Sequence, residues 1–88
     1  MRHARADDLT AHEDLLASLR AIPGLRERTA GSFYRRGGGF LHFHVDGDRL
    51  FADLKVGDAW ERLPATTASD RRRLVAAARR AAAGAVVD

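Results

Sequence analysis

Residues 37–55 read GGGFLHFHVDGDRLFADLK. Apolar and polar residues alternate on both sides of Asp46-Gly47-Asp48, the mark of two strands joined by a tight turn. Asp-Gly supplies the positive φ angles of a type I′ hairpin, so the pattern predicts strands over 40–45 and 49–55. In that pairing Leu41, Phe43 and Val45 share a face with Leu50, Ala52 and Leu54. Phe40, His42, His44, Phe51, Asp53 and Lys55 are expected on the other face. A two-residue shift in pairing would change which side chains stand opposite, but not their faces. His42 is therefore expected either directly across from Asp53 or diagonal to it.

The strand period continues upstream in LRERT (25–29) and SFYRR (32–36), while Arg36-Gly37-Gly38-Gly39 reads as a softer, mobile link. Before them, Thr10-Ala11-His12-Glu13 has the form of a capping box. Leu15, Leu16, Leu19 and Ile22 follow as one apolar helical stripe, which Pro23-Gly24 terminates. A helix over 11–21 is expected, with residues 1–8 frayed. Downstream, Trp60-Glu61-Arg62-Leu63 predicts a short edge strand ended by Pro64, and Trp60 is expected to pack over the open end of the core. Thr67 or Ser69 then caps a helix over 68–83. Leu74, Ala78, Ala81, Ala82 and Ala85 fall on one side of it, and Arg72, Arg73, Arg79 and Arg80 on the other.

The predicted class is α+β. A single small domain spans 1–88, with an antiparallel sheet of about four short strands and an N-terminal and a C-terminal helix packed on one face. At 45% hydrophobic and 31% charged residues, the chain has enough apolar surface for one core and is not of the disordered class. The absence of cysteine excludes disulfides and thiolate metal sites, and fits a reducing compartment. No apolar run long enough to span a membrane and no signal-peptide core is visible, so a cytoplasmic protein with no membrane partner is expected. Fourteen arginines, one lysine and seventeen alanines suggest a high-GC bacterial genome rather than a nucleic-acid binder, and a net charge of +3 steers partners weakly.

Two phenylalanines, two histidines and an acid on one sheet face are too apolar for a purely solvated surface. Phe40, His42, His44, Phe51 and Asp53, joined by Tyr34 from the neighbouring strand, are therefore expected to be covered. The first expectation is a non-enzymatic interaction module whose partner is another copy of the chain, forming a homodimer, or another protein. Its association should weaken as His42 and His44 protonate. The second is a small-molecule or metal site at His42, His44 and Asp53, since H-x-H on a strand places two imidazoles on one side. An Asp–His pair could also tune a general base, with a hydroxyl from Tyr34 or Ser32. However, no nucleophile elbow, phosphate loop or H-E-x-x-H motif accompanies it, and no cofactor is implied. The third is phosphate-backbone binding through Arg72, Arg73, Arg79 and Arg80. Dispersed aspartates and the lack of a helix-turn-helix spacing weigh against it.

Residues 23–54 also carry a family likeness: Pro23-Gly24, Gly31, Arg35, the His42/His44 pair, Asp46-Gly47, Leu50 and the terminal Asp53-Leu54. This arrangement resembles the luciferase domain, a family of small, mostly uncharacterised proteins. The resemblance implies a compact α+β fold with the H-x-H strand near its centre. It implies neither light emission nor a particular reaction, and the chain departs from the pattern in its longer turn after H-x-H and in the stretch leading to the last helix.

Overall fold

A computed structural model describes residues 1–84. The elements run β1 (Arg2–His3), α1 (Ala6–Leu9), a 3₁₀ turn (Thr10–His12), α2 (Glu13–Arg20), β2 (Leu25–Thr29), β3 (Ser32–Arg35), β4 (Gly38–Asp46), β5 (Arg49–Val56), β6 (Ala59–Pro64) and α3 (Ala68–Ala82). Strands β2 to β6 form an antiparallel meander in sequence order, and β1 pairs with β4. The α+β class is as expected, but the sheet has six strands rather than about four. No helix among the described residues is long and apolar enough to cross a membrane.

The central hairpin has the direct register, with Leu41 opposite Leu54, Phe43 opposite Ala52 and Val45 opposite Leu50. Its turn differs from the type I′ expectation. Asp46 pairs with Arg49, so the turn residues are Gly47 and Asp48, and only Gly47 has positive φ (+63°), the pattern of type II′. Gly57-Asp58 repeats that solution between β5 and β6. The triglycine stretch is no mobile link: Arg36 and Gly37 make a two-residue turn with φ of +54° and +83°, while Gly38 and Gly39 already belong to β4.

Both long helices cover the same sheet face. Leu15, Leu16, Leu19 and Ile22 pack with Leu74 and Ala78 over Phe33, Leu41, Phe43, Leu50, Ala52 and Leu54. Ala85, read as part of the α3 stripe, lies outside the described residues. Burying a leucine such as Leu54 completely is worth about 1.5–3 kcal/mol, so this one layer supplies most of the favourable term. Phe40 joins the core as well, contrary to the expectation from alternation. Leu41 pairs with Phe33 and Gly39 with Tyr34, which leaves Phe40 as the extra residue of a bulge. The bulge breaks the two-residue period, and Phe40 (4% exposed) and Leu41 (0%) both turn towards the helices.

The amino-terminal residues are held in place rather than frayed. Asp8 accepts two hydrogen bonds from the Arg2 guanidinium, at 2.8 and 3.0 Å, and one from the Arg5 backbone N–H at 2.7 Å. These bonds hold the Asp8 carboxyl at about pKa 2. The predicted Thr10–Glu13 box does not form, because Thr10 sits inside the 3₁₀ turn and donates back to the Ala6 carbonyl. At α3 the box is complete: the Asp70 N–H donates to Thr67 Oγ1 at 3.0 Å, and the Thr67 N–H to the Asp70 carboxylate at 3.1 Å. Arg20 joins α2 to β2 by donating to both Glu13 and Glu27. Burial would raise Glu27, but the bonds from Arg20 and the Gly31 N–H outweigh it and lower the carboxyl overall.

Two substitutions test this construction. A Cβ on Gly31, whose φ is +76°, would lie 2.4 Å from Leu9 Cδ1 and 3.2 Å from the Phe43 ring. Gly31→Ala should therefore lose about 1–3 kcal/mol of unfolding free energy in urea. Arg36 occupies left-handed backbone in a turn that prefers Asn-Gly. Arg36→Asn should gain about 0.5–1 kcal/mol in the same measurement, and a loss would contradict the assigned turn.

Candidate functional site: the open face of the sheet

With both long helices on one side, the opposite face of β4, β5 and β6 has no covering layer among the described residues. Alternation sends His42 and His44 of β4, Phe51 and Asp53 of β5, and Trp60 and Arg62 of β6 to that side. His42 stands directly opposite Asp53, and His44 opposite Phe51. The ion contact is nevertheless diagonal: His44 Nε2 lies 2.9 Å from Asp53 Oδ2. The Nε2 atom is buried and has no aligned hydrogen-bond partner.

Asp53 has a stronger partner on its other side. The Arg62 guanidinium donates to both carboxylate oxygens, at 2.8 and 3.0 Å. This fork is the main reason the Asp53 carboxyl is held below the usual range, with His44 and His42 adding to it against burial. A carboxylate engaged in this way stays ionised and is a poor proton relay.

Trp60 does not cap the core. It pairs across the strands with Lys55, faces outward, and stays 46% exposed. Its indole stacks on the His42 ring, with centroids 4.8 Å apart and planes inclined by 22°. Lys55 Nζ approaches the same indole to 5.8 Å. His3 also joins the site, because β1 pairs His3 with His44 and brings their ring centroids to 4.4 Å. Nothing in the periodicity of the first residues signals that two-residue strand. Trp60 was more legible, since Gly57-Asp58 repeats the Gly-Asp turn chemistry of the central hairpin and fixes the phase of β6.

Other expected site residues lie elsewhere. Phe40 is in the core, as described. Tyr34 is on the open side but belongs to a separate group, with the Arg28 guanidinium 4.4 Å from its ring centroid and Arg26 and Arg36 around a shared hollow. His12 is half-buried near Arg71, away from the other histidines; burial and that cation lower its pKa. The arginines of α3 do not form one ridge. Arg73 is engaged by Asp70 and Ser69, Arg72 and Arg79 line a hollow against α2, and Arg80 lines a different cavity beside the sheet.

Chemically, the face offers imidazoles, an indole and an arginine-clamped carboxylate. The ring planes of His42 and His44 are nearly perpendicular, with centroids 6.3 Å apart, and no group of three or more His, Asp or Glu side chains among the described residues is placed to hold a metal ion. The expected set of His42, His44 and Asp53 therefore does not converge as a metal site.

Burial lowers the pKa of His42; Asp53 opposes this, and His44 and His3 reinforce it. The folded protein therefore takes up this proton at lower pH than the unfolded chain, whose histidine pKa is about 6.5. Stability should fall as pH drops through that value, and the full penalty is present below the folded pKa. His42→Gln should flatten the profile in urea unfolding at neutral and mildly acidic pH, and an unchanged slope would refute the assignment. Comparison with models of known protein families, with curated proteins and with solved structures finds no match to this chain in any of the three.

Proposed function

We propose that the chain is a non-enzymatic binding module whose working surface is the open sheet face, and that its partner is a second copy of the same chain. The observation that carries this reading is the His42–Trp60 stack, a large amphipathic ring left half in solvent on an otherwise ordered face. Tryptophan contributes more than most residues when such a surface is covered. A symmetric contact needs a patch that complements itself, and two flat ring pairs meeting across a two-fold axis meet that need. Charge supports the same reading: Asp53 and Arg62 neutralise one another within each copy, so the centre of the face carries little repulsion of its own.

The same clamp argues against catalysis. Asp53 is already engaged, and Tyr34, the candidate hydroxyl donor, stacks with Arg28 in a different group. A small-molecule reading of the face has His42, His44 and Asp53 as its residues, and none of the three lines the hollows beside α3, beside α2 or around Tyr34.

Sedimentation velocity over a micromolar to millimolar series should show a monomer–dimer equilibrium. Trp60→Ala should weaken it by about tenfold or more, which corresponds to a loss of at least about 1.4 kcal/mol. Acidification should weaken it too, since a protonated His42 ring would place positive charge on both sides of the contact. The effect should set in below the ordinary histidine value of about 6.5, because burial lowers the His42 pKa. A wild-type chain that stays monomeric throughout the series, or a Trp60→Ala chain that dimerises equally well, would refute the reading.

A further inference from the structure

A second feature lies at the end of α3, on the helix side of the sheet. Between the end of α3 and the adjoining ends of β4, β5 and β6 lies a cavity of about 690 Å³. Small residues keep it open. Gly38 faces α3, where Ala77, Ala81 and Gly84 present little side chain. A Cβ at Gly38 would meet nothing nearer than the Arg35 carbonyl oxygen at 3.8 Å, and its φ is not positive. Neither crowding nor backbone conformation requires glycine there.

Phe40 and Val56 give the cavity apolar wall, while Arg35 and Arg80 bring two cations to it against the single carboxylate of Glu61. Lys55 borders it too, but its ammonium stands beside the Trp60 ring on the other face. Neither arginine has an ion-pair partner among the described residues. Five of the fourteen arginines, Arg2, Arg20, Arg49, Arg62 and Arg73, are engaged by carboxylates. Cations left without partners around an apolar-walled hollow make a recognisable binding chemistry.

We infer that this cavity binds a small organic anion, a carboxylate carried on an apolar body of one or two rings. Its volume lies within the range of about 300–1,000 Å³ usual for small-ligand sites and far exceeds what an inorganic anion fills. The carboxylate would sit between Arg35 and Arg80, and the body would lie against Phe40 and the alanines of α3. Glu61 sets a limit, since it disfavours ligands carrying more than one negative charge.

The experiment is a titration of the isotopically labelled chain with naphthoate, followed by amide shifts, beside the neutral naphthamide of matching shape. Naphthoate should give saturable shifts at Gly38, Val56, Gly57 and Ala81, and naphthamide should bind about tenfold more weakly, a difference of about 1.4 kcal/mol. Arg35→Gln and Arg80→Gln should each weaken naphthoate by a similar factor and leave naphthamide unchanged. Gly38→Leu, which fills the hollow, should abolish both; if that variant fails to fold, the two arginine variants decide the matter. Absence of saturable shifts, equal binding of naphthamide, equal binding of inorganic phosphate, or shifts confined to the His42–Trp60 face would each overturn the inference.

Discussion

The pairing of β4 with β5 is the constraint from which the rest follows. Each rung of that hairpin sends one pair of side chains to the helices and the next pair outward, so burying Leu41, Phe43 and Leu54 also sets where His42, His44 and Asp53 stand. A slip of one residue would place two imidazoles and a carboxylate beneath α2 and α3, where unpaired polar groups cost several kcal/mol. The hydrophobic layer therefore positions the polar face without contacting it. The Gly57-Asp58 turn carries the same phase into β6, which brings Trp60 beside His42 and Arg62 beside Asp53.

The charges divide by position in a way that composition does not reveal. Of the fourteen arginines, some are structural: Arg2 secures the amino terminus through Asp8, Arg20 ties α2 to β2, and Arg62 clamps Asp53. These bonds lie at or near the surface, so each contributes modestly, but they set the orientation of neighbouring groups. Arg35 and Arg80 are different, standing without carboxylate partners beside a hollow walled by small residues. A net charge of +3 spread over both kinds describes neither.

Much of this was legible in the residues. The central strands, the stop at Pro23-Gly24, the Thr67 cap and the separation of His42 and His44 from Phe43 all follow from local periodicity and turn chemistry. What was not legible depended on pairing partners distant in sequence. His3 reaches the site only because β3 is short and leaves part of the β4 edge free for β1. Phe40 turns inward because β3 and β4 meet out of step by one residue, which no inspection of β4 alone reveals. Trp60 was misplaced for a simpler reason: a large ring suggested core, whereas its strand phase placed it outside. The cavity beside α3 was hidden because glycines and alanines announce flexibility or close packing, and only tertiary placement shows a gap between them.

The bulge at Phe40 also divides the sheet into two parts with separate bookkeeping. On one side of it β3 and the start of β4 keep their own alternation; on the other, the long hairpin keeps another. A gain or loss of one residue in a regular strand would invert every side chain beyond it, but at a bulge the mismatch is already absorbed in an unpaired position. Length variation at that point would change the number of buried rings, at a cost in core packing, while the imidazoles keep their outward aspect. The fold has a built-in expansion joint, placed between the part that makes the histidine surface and the part that closes the hollow under the last helix.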